Sequence, residues 1–524
     1  MTYYDIHCHV FNKDVVVRKL VNVIQSLLTI QEILDKDISG EELKYKIKGI
    51  SKVLEDVTQP SSEEVFQVLN EAYGGEVVTT PLMFDLTYAD DNDGNEAKNN
   101  RYRRRIKRIF WLLHKVLPLV KGKIIKRFKD DGSLPGMIDK LQENIKKLDK
   151  GFKRKSNKEV SFFDDANYGQ QIADLEFLAG KYKNIKPFFS VDPRREYKGK
   201  VNMVEKLEEK FLVDNPRFAG VKLYAPAGFS PTDPVLMGTG KQKGVYAFCS
   251  ENNIPITVHN SNAGFACFST FLKVKGDVYL HGNIQYIDGT IKFNNRFFSL
   301  KVSDAIKERA RALNHPKLWA RVLKKHPTLH INFAHFGGSG QILEYINYNF
   351  PETKFEIETF GEYISNLPQG LKDTVLSGFT MKRKYMYLKD FLTISERAEI
   401  WNAMYRAGLI DNWAKAIFDL VKNTKFPNAY TDLSCFSEGE LIHSPTDPEH
   451  KLTFSIKGGL NTFKNSFFDK ISDYEKSKIL YGSDFFLAQF FGPTIEQYYA
   501  DFREAFGEEF AIIASKNPAR FLGI

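Results

Sequence analysis

The chain has 524 residues, 43% hydrophobic and 14% aromatic, with a formal net charge of +9. That apolar content can bury a large core, no apolar run is long enough to span a bilayer, and the four cysteines (Cys8, Cys249, Cys267, Cys435) contain no CxxC, which argues against a disulfide framework. Met1-Thr-Tyr-Tyr-Asp leads into the first strand without a basic leader, so the expectation is a cytoplasmic protein.

The first apolar run, about residues 3–9, closes on Asp5-Ile6-His7-Cys8-His9. In a strand, alternate side chains share a face, so His7 and His9 point together. Residues 13–76 follow as a first, helical insertion. Glu76 to Phe84 reads as a second strand, ending beside Asp85, and residues 88–164 as a second insertion. A helix over about 166–183 leads to a strand at Pro187–Asp192, followed by Arg194 and Arg195. Ala219–Tyr224 is the fourth strand and contains Lys222. A helix from Lys243 to Asn252 precedes the run Ile254-Pro-Ile-Thr-Val-His259, whose end opens into Asn260-Ser-Asn262. Residues 261–312 hold a long loop or hairpin with His281, and a helix beginning at His315-Pro316 leads to Leu329-His-Ile-Asn-Phe-Ala-His335. Residues 350–408 form a third insertion, and Ala429–Ser434 and Ile479–Asp484 are the last two strands.

These runs are short, apolar and end at loops, the pattern of strands buried in a parallel sheet. Alternation with helices argues for a parallel α/β fold. His-x-His alone is as readily two unrelated surface histidines. Three further strands ending in His259, His335 and Asp484 tip the reading towards ligands gathered at one end of a sheet. In a (β/α)₈ barrel that end is the C-terminal face, where catalytic groups sit. Asp432 and Ser434 would support the metal face. Tyr224, Arg194, Asn260 and His281 are candidate substrate contacts.

At His7-x-His9, Gly220-Val-Lys222, His259, His335-x-Gly-Gly and Gly482-Ser-Asp484, taken in that order, the chain resembles the amidohydrolase superfamily. It looks closest to the branch of small metal-dependent hydrolases and non-oxidative decarboxylases. The closing Lys516-Asn-Pro-Ala-Arg-Phe-Leu-Gly523 resembles that branch's last helix. The resemblance covers residues 1–12, 78–86, 165–345 and 425–524. It implies an α/β, (β/α)₈ TIM barrel over the whole chain, with large helical insertions. It implies a Zn²⁺ ion, or Mn²⁺ or Fe²⁺, held by His7, His9, His259 and Asp484, with Asp484 also accepting a proton and His335 polarising a carbonyl or donating one. A single ion is the expectation. In binuclear relatives a carboxylated lysine bridges two ions, and Lys222 is the matching position; in the mononuclear branch the matching lysine binds substrate or packs.

The expected function is metal-dependent hydrolysis of a C–O or C–N bond in a small, carboxylate-bearing molecule. Non-oxidative decarboxylation is the alternative, and a catalytically inactive binding module is a third reading. The +9 charge is local: residues 98–129 carry thirteen Lys and Arg and no Asp or Glu. Apolar clusters inside that window favour a helical hairpin packed on the barrel with a solvated basic face, over a nucleic-acid or membrane surface. Partners are therefore a small-molecule substrate, with homo-oligomerisation left open.

Overall fold

The computed structural model describes residues 1–10, 47, 61–89, 118, 121–122, 133–156, 165–198, 201–240, 242–267, 269–295, 302–350, 394–406, 408, 410–444, 447–485, 488 and 494–524. Twelve strands occur among them: β1 Tyr3–Cys8, β2 Val77–Pro81, β3 Phe188–Val191, β4 Gly220–Leu223, β5 Ile256–Ser261, β6 Phe271–Leu280, β7 Asn283–Lys292, β8 Ile331–Gly337, β9 Ala429–Asp432, β10 Glu440–Ser444, β11 Asp447–Ser455 and β12 Ile479–Leu480. Six form one sheet in the order β12-β9-β8-β5-β4-β3, and every pairing in it is parallel. Parallel neighbours need long crossovers. Helices supply them, among them Asp165–Lys181 before β3, Met203–Phe211 before β4, Val245–Glu251 before β5, Pro316–Lys325 before β8 and Trp413–Val421 before β9.

β1 and β2 form a separate parallel pair that is tied to both edges of the larger sheet. On one side, Thr79 pairs with Ile185 and Leu82 with Phe188, both in parallel. On the other, Cys8 pairs with Phe485 in parallel, the Ile6 N–H donates to the Tyr481 carbonyl at 3.2 Å, and the Asp484 N–H to the His7 carbonyl at 2.6 Å. Gly482 makes this second approach possible, because a Cβ there would sit 2.8 Å from the His7 Cβ, closer than atoms pack.

β5 and β8 are buried along their whole length, which accounts for their continuous apolar sequence. The Trp319 ring packs edge-on against Phe333 of β8 at 6.2 Å between centroids. The helix carrying Trp319 starts at His315, whose side chain accepts the Lys317 N–H, with Pro316 in the first turn. The 261–312 segment contains an antiparallel hairpin, β6–β7, with ten residues in each strand, and the helix Val302–Asn314. A second antiparallel hairpin, β10–β11, has no counterpart in the sequence reading. Its Ser444-Pro-Thr-Asp-Pro448 stretch carries two prolines, which mask a strand signal.

Of the three segments expected as insertions, the described part of 13–76 includes the helix Ser62–Ala72. That of 88–164 includes the helix Ser133–Ser156, and that of 350–408 the helix Ile394–Arg406. The basic window 98–129 lies outside the described residues except for Pro118, Lys121 and Gly122. Among the described residues, no helix is long and apolar enough to cross a membrane.

Candidate metal centre

Strand ends bring the polar residues together. His7 and His9 leave β1 with Asp484 facing them: Asp484 Oδ1 is 3.6 Å from His7 Nε2 and 3.2 Å from His9 Nε2. All three residues are buried, and their ligand atoms lie within 4.8 Å of one another.

The hydrogen bonds decide which nitrogen each ring offers. His9 Nδ1 is 3.0 Å from the Leu82 carbonyl, which only accepts, so Nδ1 carries the proton and Nε2 presents a lone pair. His7 Nδ1 faces the Asp432 Oδ2 carboxylate at 3.3 Å and Ser434 Oγ at 3.0 Å, so its Nε2 also presents a lone pair towards Asp484. Two imidazole lone pairs and a carboxylate oxygen pointing at one spot repel one another unless a cation joins them. The donor set of two imidazoles and one carboxylate suits Zn²⁺, Fe²⁺ or Mn²⁺. Tying the remote ring nitrogen to a carbonyl or carboxylate is how metal-binding histidines are held. These residues fit a divalent transition metal.

His259 and His335 form a second pair beside the first. His259 Nε2 is 2.9 Å from the Ala263 carbonyl, so it donates there. Its Nδ1 then accepts from His335 Nε2–H at 3.0 Å. His335 Nδ1 faces Ser434 Oγ at 2.9 Å, and its ring centroid is 4.7 Å from that of His7. Burial, with His7 and His259 close by, pushes the His335 pKa well below its ordinary value, so the ring is neutral. His259 thus packs against the group through His335, with both of its ring nitrogens hydrogen-bonded. Tyr224 stacks on His259 at 4.5 Å, and its hydroxyl accepts the Phe265 N–H at 2.7 Å.

Lys222 is buried in β4. Burial lowers its pKa to about 8, against the opposing charges of Asp432 and Asp484, so it remains a cation at neutral pH beside the site. The other sequence candidates lie differently. The Arg194 guanidinium is committed to the Asp192 carboxylate and to the Tyr88 and Ala227 carbonyls. The Asn260 amide donates to the Asn314 carbonyl at 3.3 Å, towards the helix Val302–Asn314. His281 is exposed at the turn of the β6–β7 hairpin.

Asp5 was legible as a residue but not as a part. It is fully buried and accepts four hydrogen bonds: from the His7 N–H at 3.1 Å, the Ser483 N–H at 3.0 Å, Ser483 Oγ at 2.6 Å and Tyr73 Oη at 2.8 Å. It therefore joins β1 to the Ser483-Asp484 turn. No local pattern could have assigned this role, because Ser483 is 478 residues away. His335 and Asp484 both have left-handed backbones, at φ 69° and 52°, a conformation that non-glycine residues hold only under surrounding constraint.

No protein-family model matches the chain, and neither does any curated protein. Among solved structures, the chain is similar to 5-carboxyvanillate decarboxylase from Novosphingobium aromaticivorans, a mutant with bound manganese and 3-methoxy-4-hydroxy-5-nitrobenzoic acid. That match has 8% identity, covers 100% of this chain and 97% of the other, and has a TM-score of 0.38. An apo IDCase from Metarhizium anisopliae is 13% identical over 68% of this chain and 69% of its own, with a TM-score of 0.31. A structure described as amidohydrolase II is 13% identical over 70% of this chain and 81% of its own, with a TM-score of 0.30.

Proposed function

We propose that the chain is a metal-dependent enzyme on a (β/α)₈ barrel, and that it hydrolyses a C–O or C–N bond in a small, carboxylate-bearing substrate. Closure is supported by the parallel bridges that tie the β1–β2 pair to β3 on one side and to the segment after β12 on the other. The observation that carries the activity is the buried convergence of His7 Nε2, His9 Nε2 and Asp484 Oδ1 within 4.8 Å. When bound there, a divalent ion such as Zn²⁺ supplies Lewis acidity and lowers the pKa of water to about 7.

The chain's own residues do the rest. His7, His9 and Asp484 hold the ion; His259, with both ring nitrogens bonded to neighbours, buttresses His335. Asp484 accepts the proton of the attacking water. His335 is neutral, and its Nε2–H, bonded to His259 Nδ1 in the substrate-free chain, is the group that would turn to the substrate carbonyl. Lys222, cationic at neutral pH, pairs with the substrate carboxylate, and Tyr224 forms an aromatic wall.

The test is metal analysis of the purified protein combined with a turnover screen of lactones, amides and aromatic carboxylates. About one zinc, manganese or iron per chain is expected, and His7→Ala and His9→Ala should each lose most of it. Full occupancy in both variants would remove the site. Asp484→Asn, reloaded with metal, should not turn over, since an amide cannot take the proton; a wild-type kcat would take Asp484 out of the mechanism. Release of CO₂ from an aromatic carboxylate, with no hydrolysis, would replace hydrolysis by decarboxylation.

A further inference from the structure

Two groups at the end of β9 are bonded more heavily than packing requires. Asp432 is wholly buried. Its Oδ1 accepts the His335 N–H at 2.9 Å and the Ser434 N–H at 3.0 Å, and it also takes the Ser434 hydroxyl proton. Its Oδ2 accepts from Asn332 Nδ2 at 2.6 Å and faces His7 Nδ1 at 3.3 Å. Ser434 Oγ lies between two rings, 3.0 Å from His7 Nδ1 and 2.9 Å from His335 Nδ1. Burying a carboxylate is costly unless donors satisfy it, and a core position needing only volume is better filled by an apolar residue.

We infer that Asp432 and Ser434 are positioning residues that fix the tautomer and ring orientation of His7, Asp432 at the same time holding the His335 backbone N–H. The inference deepens the proposed metal site and rests on that reading of His7, His9 and Asp484. An ionised carboxylate accepts and cannot donate, so opposite Asp432 the His7 proton resides on Nδ1. The Nε2 lone pair is then turned permanently towards Asp484 and His9. Ser434 Oγ, its own proton given to Asp432, accepts from the same Nδ1–H at 3.0 Å, so the His7 ring is held in one orientation by two acceptors.

The isosteric change Asp432→Asn separates this role from a merely structural one. Its amide can present an N–H to His7 Nδ1 and stabilise the opposite tautomer. In the serine-protease triad, the equivalent change leaves the geometry intact and imposes the wrong tautomer. Loss of such a partner costs roughly 10–100-fold in metal affinity.

The experiment uses the full-length chain labelled with ¹⁵N-histidine. Zinc affinity is measured by competition with a chromophoric chelator, and the His7 tautomer by long-range ¹⁵N–¹H correlation of the zinc-free protein. Wild type should show His7 as the Nδ1–H form. Asp432→Asn should shift it towards Nε2–H and bind zinc about 10–100-fold more weakly, with a circular-dichroism melting profile like that of wild type. Ser434→Ala supplies a second variant, expected to lose about tenfold in zinc affinity. Zinc binding that His9→Ala abolishes but Asp432→Asn and Ser434→Ala leave at the wild-type value overturns the positioning role and spares the metal site. An unchanged His7 tautomer in Asp432→Asn overturns it as well. Failure of wild type itself to bind zinc, manganese or iron overturns both readings.

Discussion

Removing the Asp5 carboxylate should unfasten β1 from the turn that carries Asp484. In Asp5→Ala, four donors lose their acceptor. Two of them have somewhere to go: Tyr73 Oη lies 3.1 Å from Tyr481 Oη, and the Ser483 hydroxyl can rotate. The backbone N–H groups of His7 and Ser483, held by strand and turn, do not. A stranded buried donor costs about 1–3 kcal/mol, so two cost about 2–6 kcal/mol, before any cavity contribution. Asp5→Asn behaves differently. Its carbonyl oxygen keeps both backbone donors, and its NH₂ meets two hydroxyls that can turn to accept, so its loss should stay near 1 kcal/mol. The Asp484 backbone at φ 52° is held partly through Ser483, so Asp5→Ala should also weaken zinc binding more than Asp5→Asn does. Urea unfolding of the metal-free protein, read from midpoint shifts at constant slope, measures the first effect, and chelator competition the second. An Asp5→Ala protein within 1 kcal/mol of wild type, or an Asp5→Asn protein as unstable as Asp5→Ala, would refute the reasoning.

Three further outcomes concern other parts of the chain, the last of them argued from sequence alone. Burial raises the Asp233 pKa to about 7, against hydrogen bonds from Tyr197 and the Val235 N–H. A raised carboxyl favours folding while protonated, so its contribution is full below about pH 3.8 and is lost as pH rises through 7. Asp233→Asn, which keeps the side-chain oxygen that caps the short helix Pro234–Met237, should therefore gain on wild type by on the order of 4 kcal/mol between pH 4 and pH 7.5 in urea titrations; parallel stability curves would contradict this. Gly264 has φ +93°, and a Cβ there would meet the His259 ring and the Tyr224 hydroxyl at 2.9 Å. Gly264→Ala should lose about 1–3 kcal/mol, measurable by thermal melting, and should disturb the His259–Tyr224 stack; a wild-type melting profile would show that the loop simply moves aside. Reversing Arg103, Arg104 and Arg105 should change stability by no more than about 1 kcal/mol per charge. Binding of single-stranded nucleic acid by the wild-type chain should vanish at moderate salt; tight binding near physiological salt, lost in the triple reversal, would instead make the basic window a recognition surface.

Much of the candidate site could be read from local pattern. Alternation along a strand places His7 and His9 on one face whatever the rest of the chain does, and the apolar runs ending in His259, His335 and Asp484 announce buried strands with polar tips. The same alternation puts Asp432 and Ser434 on one face of their strand. Local pattern did not reveal the β10–β11 hairpin, where prolines interrupt the strand signal, or the placement of Arg194, which opens the short helix Arg194–Tyr197 after β3, and of Asn260, which lies within β5; both spend their hydrogen bonds on neighbouring chain.

Which polar tips touch was decided only in three dimensions. His7 meets Asp432 and Asp484 across 425 and 477 residues, His335 bonds to His259, and Asp5 joins its own strand to Ser483. Each of these contacts depends on the stacking order of the strands, the register between them and the tight approach at Gly482. The reason is physical. A residue's face is set by the backbone geometry of its immediate neighbours, whereas its hydrogen-bond partner is set by side-chain packing among segments that are distant in the chain and adjacent only after the core has formed.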